Sequence, residues 1–205
     1  MVRKSRSIPS NPAIGIYCEG ESEKQYFTML SQKYGAKNVK SEKLQIKSLG
    51  KSGKSLIDAA YRQMKAKKQK RAYVVFDRDV ENIRREDIEY MKECQALVKQ
   101  KNNKRRHLEI MFSSVNFEVW ILMHFEPVMK SYSKNDLYRR LSEKHFHLDY
   151  KSFKGESYRP YLFDLVGTAV KNADKLYKIH PNLEKDDPYT NIHKYLEEIF
   201  NRKVF

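Results

Sequence analysis

The sequence predicts an α/β fold: a parallel sheet flanked by helices, continued by a helical C-terminal extension. Three observations predict it. Apolar runs of strand length alternate four times with segments of helical spacing, the pattern of parallel strands joined by crossover helices. Two of those runs end in acidic motifs, Glu19-Gly20-Glu21-Ser22-Glu23 and Asp77-Arg78-Asp79. After Pro127 the strand-like runs stop and only helical spacing remains.

Residues 1–12 are basic, carry two prolines and read as a flexible arm. Ala13 to Cys18 reads as a buried strand, and Gly20 permits a sharp exit from it. Ser22 with Gln25 has the form of a capping box for the next helix. That helix places Tyr26, Phe27, Leu30 and Tyr34 on one side, and Gly35 ends it. Leu44 to Leu49 reads as a weaker strand, and Gly50 to Ser55 as a loop. Leu56, Ile57, Ala60, Tyr61 and Met64 mark the second helix.

The basic run Lys65–Arg71 leads into a strand over Ala72–Phe76, followed by a helix with Ile88, Met91 and Val98 inward. A second basic run, Lys99–Arg106, precedes the alternating strand residues Leu108, Ile110 and Phe112. Asn116 is placed to cap the apolar helix 117–125. Asp136–His145, Pro160–Lys178 and Asn191–Asn201 show helical spacing. The expected organisation is an arm over 1–12, an α/β domain over 13–126, and a helical extension over 127–205 packed on it.

Forty-one Lys and Arg against 26 Asp and Glu leave a net charge of +15, which favours a polyanionic partner. Hydrophobic residues make up 40%, enough to build a core, so a disordered basic tail is excluded. Cys18 and Cys94 lie far apart, without CxxC or Cys/His spacing, which argues against a disulfide framework and a zinc finger. No apolar run has membrane-spanning length, and the start lacks the apolar core of a signal peptide. A cytoplasmic protein is expected.

In a parallel α/β sheet, ligands collect beyond the carboxyl ends of the strands. Glu19 stands at one such tip, and Glu23, four residues on, can point back to it. Asp77 and Asp79 are two apart, as on one face of an extended segment, with Arg78 pointing elsewhere, towards a phosphate. Glu118 can reach the same edge. Carboxylates gathered there repel unless a cation sits among them, and hard oxygen ligands suit Mg²⁺ or Mn²⁺. Helix N-termini also favour acids, which is the alternative account of Glu23 and Glu118.

These motifs reach a resemblance. An apolar strand followed by Glu19-Gly20-x-x-Glu23, then one followed by Asp77-x-Asp79, resembles the Toprim domain of primases, topoisomerases and OLD-type nucleases. More closely, the chain resembles the RloB-like family of bacterial defence proteins. Three stretches carry this: Glu19 to Phe27; Asn116-Phe117-Glu118-Val119-Trp120-Ile121-Leu122-Met123-His124-Phe125; and Pro188-Tyr189-Thr190-Asn191-Ile192-His193. The resemblance implies a Toprim-like sheet and Mg²⁺-dependent cleavage of phosphodiester bonds in DNA or RNA, in a phage-defence or abortive-infection setting. Glu19 would act as general acid/base or metal ligand, Asp77 and Asp79 would hold Mg²⁺, and Glu23 would serve a second metal or the hydrolytic water. Lys51, Lys54, Arg78, Lys104, Arg105 and Arg106 are the candidate nucleic-acid contacts, and an ATPase is a candidate partner protein.

Two other readings stand beside this one. The fold could be a non-catalytic module that binds nucleic acid or a partner. Ser48 to Ser55 also resembles a P-loop with Lys54 and Ser55 in the phosphate-binding positions, but Ser48 replaces the first glycine that such a loop needs for its turn. His145 and His147 have HxH spacing without a third ligand nearby, so a surface or packing role is expected. His124 is expected to be buried and hydrogen-bonded.

Overall fold

The computed structural model describes residues 14–44 and 52–205. Five strands form one sheet in the order β2-β1-β3-β4-β5. They are β1 (Ile14–Cys18), β2 (Val39–Lys43), β3 (Arg71–Asp77), β4 (His107–Ser114) and β5 (Tyr189–Thr190). The first four run parallel, and β5 pairs antiparallel with the end of β4. The flanking helices are α1 (Glu21–Lys33), α2 (Ser52–Ala66), α3 (Arg85–Lys101), α4 (Glu118–Leu122), α5 (Lys134–Arg140), α6 (Tyr150–Phe153), α7 (Arg159–Leu162), α8 (Val166–Ile179) and α9 (Ile192–Phe200). A π-helical turn, Leu141–Phe146, continues α5.

Strand alternation divides the core into two layers. Ile14, Ile16 and Cys18 of β1, with Tyr73 and Val75 of β3, pack against α1, α4, α8 and α9. Tyr17, Ala72, Val74, Phe76, Leu108, Ile110 and Phe112 face the other way, onto α2 and α3. Both faces of β1 and β3 are covered, which is why these strands read as continuous apolar runs. The C-terminal helices share their core with β1 and β3.

Several expectations are corrected. The second strand is Val39–Lys43, ahead of the expected Leu44–Leu49; it buries only Val39, so its pattern is weak. Residues 45–49 of that expectation, Lys51, and the arm over 1–12 lie outside the described residues. Helix α2 already includes Ser52 to Ser55, which were expected to be loop. No side chain caps α1, whose N-cap is Gly20, so the expected Ser22–Gln25 box is not formed. Strand β5 was not expected at all, because two residues carry no periodicity.

The outer edge of β4 is closed by side chains. Asn191 accepts from the Phe112 N–H (2.8 Å) and donates to the Ile110 carbonyl (2.9 Å). Asn102 does the same for Leu108, accepting its N–H at 2.7 Å and donating to its carbonyl at 3.0 Å. Two carboxamides thus take the place of a neighbouring strand where β5 is too short to reach.

The order of the strands positions the site. From β1 the chain goes to β2 through α1 on one face, then to β3 through α2 on the other face. Order therefore reverses between β1 and β3, and the crevice beyond their carboxyl ends is the topological switch point where α/β sheets bind ligands.

Candidate functional site

Both acidic motifs open at that switch point, because β1 and β3 are hydrogen-bonded neighbours. Glu19 follows the last residue of β1, its N–H donating to the Val75 carbonyl of β3 (3.0 Å). Its side chain is exposed. Glu23, in the first turn of α1, is 5% exposed. Its carboxylate lies back over the turn: a Cβ added at Gly20 would stand 2.6 Å from Glu23 Oε2. Gly20 leaves room for that close approach. The expected return of Glu23 towards Glu19 is what the fold shows.

Asp77 ends β3 and accepts from the Phe117 N–H through Oδ2 (3.1 Å). Asp79 does not continue the strand. Its φ is +57°, a left-handed conformation that aspartate tolerates, and its N–H donates to the Val115 carbonyl (2.9 Å). The expected extended Asp-x-Asp segment is therefore interrupted at Asp79. Glu118 is fully buried at the start of α4, as the loop after β4 turns back over the site.

The electrostatics tie the five carboxylates together. Burial pushes the Asp77 pKa well above the ordinary carboxylate range, and Asp79, Glu23, Glu19 and Glu118 push it further. Burial, then Glu118 and Glu19, raise Glu23 to about 7. Burial also raises Glu118, opposed by the Lys154 ammonium. Burial is the leading cause in all three, and proximity to like charge adds to it at Asp77 and Glu23.

Two lysines from beyond residue 127 supply part of that charge. Lys134 Nζ donates to Asp79 Oδ1 at 2.6 Å. Lys154 Nζ stands 3.0 Å from Glu118 Oε1 and donates to the Tyr138 hydroxyl at 3.1 Å. Burial works against both ammonium groups, yet the neighbouring acids prevail and hold their pKa values above the ordinary lysine value. The sequence reading missed both, since nothing distinguishes them among 41 basic residues.

Two groups remain unsatisfied. Glu118 Oε2 has no hydrogen-bond partner, and Asn116, also fully buried, leaves both side-chain polar atoms unpaired. Asn116 thus does not cap α4, contrary to expectation; the N-cap is Phe117. Orphaned buried polar atoms of this kind carry a free-energy cost and call for an explanation. The donor set, carboxylates with an amide beside them, fits a hard divalent cation such as Mg²⁺ or Mn²⁺ in kind. In arrangement it fits less well. Among the described residues, no three His, Cys, Asp or Glu side chains already stand together as metal ligands.

The basic candidates do not gather at this site. Arg78 is turned into the protein: its guanidinium donates to the carbonyls of Leu183 (3.0 Å) and Glu184 (2.7 Å) and lies over Phe112. Burial pulls its pKa down, and its Nε and Nη1 stay buried without a hydrogen-bond partner. Lys54 reaches Glu93 Oε2 at 2.5 Å. Lys104, Arg105 and Arg106 precede β4, at the opposite end of the sheet from the acids. Residues 48–51 of the P-loop-like stretch lie outside the described residues; at Gly53 an added Cβ would meet Cys94 Sγ at 2.9 Å and the Tyr90 hydroxyl at 3.0 Å, so this glycine lets α2 pack on α3.

His124 and His145 pack into the protein. His124 is fully buried, lies 3.1 Å from the Tyr26 hydroxyl through Nε2, and is lowered to about 4 by burial. His145 stacks on Phe125. No described helix is long and apolar enough to cross a membrane.

The model of a family described as RloB-like protein matches residues 14–199. No curated protein and no solved structure matches the chain.

Proposed function

The chain belongs to the RloB-like family, and from that premise we propose that it is a Mg²⁺-dependent nuclease of Toprim type, hydrolysing phosphodiester bonds in DNA or RNA as a phage-defence effector. The observation that carries the proposal is the convergence of Glu19, Glu23, Asp77, Asp79 and Glu118 at the switch point between β1 and β3. Structural carboxylates are normally paired off; here burial leaves Asp77 and Glu23 short of positive charge and Glu118 Oε2 without a partner.

Glu19, Asp77 and Asp79 would hold Mg²⁺ or Mn²⁺, with Glu23 and Glu118 as further ligands. The ion, when bound, neutralises charge on the phosphate and makes an attacking water more acidic. The chain's own residues do the rest. Glu23 Oε2, folded back over Gly20, is positioned to accept a proton from a water entering between the strand tips. The Phe117 N–H fixes the orientation of the Asp77 carboxylate. Lys134 and Lys154 hold Asp79 and Glu118 in place and offer charge to the substrate phosphate once the acids are otherwise neutralised.

One observation favours a second reading, a non-catalytic binding module for nucleic acid or an ATPase partner: Lys134 and Lys154 already pair with Asp79 Oδ1 and Glu118 Oε1. Incubating the purified protein with tRNA, single-stranded DNA and duplex DNA, in Mg²⁺, Mn²⁺ or EDTA, separates the two. The nuclease reading expects metal-dependent cleavage of at least one substrate, lost in Asp77→Ala and Glu19→Ala. Cleavage that survives both substitutions, or no cleavage of any substrate, refutes it.

A further inference from the structure

The register of the sheet aligns the beginnings of its four parallel strands. Ile14 pairs with both Val39 and Arg71, and Arg71 pairs with His107. Whatever precedes these strands therefore lies on one rim. Lys37 precedes β2; Lys68 and Lys70 precede β3; Lys104, Arg105 and Arg106 precede β4. The two basic runs, separate in sequence, become one surface, since the His107 N–H donates to the Lys70 carbonyl (2.9 Å). Three strand spacings of about 4.8 Å make the rim about 14 Å wide.

Among the described residues, ion pairs near this rim join Lys67 with Glu42, Lys101 with Asp58, and Arg71 with Glu198. Among the described residues Lys37, Lys68, Lys70, Lys104, Arg105 and Arg106 have no carboxylate partner, and all but the half-buried Arg106 are exposed. The acids stand at the other rim. The six steps of β3 from Arg71 to Asp77, at about 3.3 Å each, separate the two by about 20 Å.

We propose that the basic rim is an anchor for the phosphate backbone of nucleic acid, distinct from the acidic site, so that one substrate is held and cut at different segments. The identity of the ligand rests on the proposed nuclease function. Unpaired exposed cations release counterions from a polyphosphate, a gain that fully paired ones cannot offer. The separation of the rims sets a length. At about 3.4 Å per base pair along the helix axis, a duplex reaching from the anchor to the acids spans at least about six base pairs, and more if it follows the flank of the protein.

The test is binding, measured without cleavage. Fluorescence anisotropy in EDTA, with a labelled duplex several helical turns long, is compared for the wild type, Lys104→Ala/Arg105→Ala/Arg106→Ala, and Lys68→Ala/Lys70→Ala. Circular dichroism confirms that each variant is folded. The expected result is an affinity loss of about tenfold or more for the triple variant, with the slope of log K against log salt reduced by roughly one for each cation removed. Unchanged affinity and salt slope in both folded variants overturns the proposal. So does binding to vesicles of anionic phospholipid in place of the duplex. Because the assay contains no metal, loss of binding in the variants supports the anchor even if no substrate is ever cut.

Discussion

Replacing Glu23 by Gln isolates the electrostatic stress at the site. The carboxyl is 5% exposed, faces Glu118 and Glu19, and has its pKa raised from 4.5 to about 7, by burial first and by those two acids next. A carboxyl that holds its proton more tightly when folded lends stability below the unfolded pKa, and that contribution disappears as pH rises through the folded pKa. Above about pH 7 the charged side chain is a standing cost of about 3 kcal/mol. Glutamine keeps the shape and removes the charge. At roughly 2–4 °C per kcal/mol for a chain of this size, the variant should melt about 6–12 °C higher than the wild type near pH 8 in EDTA. Near pH 5 the gap should shrink to about 1 kcal/mol or less, because Glu23 is then protonated in the folded protein. Thermal unfolding followed by circular dichroism across this range makes the comparison. Equal melting curves at both pH values, or a variant that is less stable at the higher pH, would refute the claim that Glu23 is an uncompensated acid.

Two further substitutions probe the frame around the site. Lys154→Ala strands the fully buried Glu118; since the lysine side chain is 34% exposed, the loss should fall at the low end of the roughly 3–5 kcal/mol expected for a broken buried pair. Chemical denaturation checks this, and adding Glu118→Gln should restore most of it. Asn191→Ala removes both carboxamide bonds to the β4 edge and leaves the Phe112 N–H and Ile110 carbonyl unpaired, an expected loss of about 2–3 kcal/mol. Faster amide hydrogen exchange at Phe112 is the specific sign; unchanged exchange there would contradict the role given to Asn191.

The parts of the fold that were legible are those buried on both faces. β1 and β3 announced themselves as apolar runs, and their acids as departures at the ends of those runs. β2 was misplaced because only Val39 of its five residues is buried. Asn116 looked like a helix cap because its chemistry suits that place, whereas the fold leaves its amide unpaired. Gly53 looked like part of a phosphate loop, yet its lack of a side chain serves the packing of α2 on α3. The basic residues were legible in kind but not in position. The signal was nonetheless present: both basic runs precede strands, both acidic motifs follow them, and a parallel sheet sends the two groups to opposite rims. Lys134 and Lys154 had no such signal, since only the path of the C-terminal helices brings them to the acids.

Direct measurement of divalent-cation binding tests the central claim most sharply. Mn²⁺ titrated into the wild type and into Asp77→Asn, followed by electron paramagnetic resonance of the free ion, should show a saturable site in the first that is lost in the second. Equal binding by the two proteins, or no saturable binding by a folded wild type, would contradict the assignment of these carboxylates as a metal site.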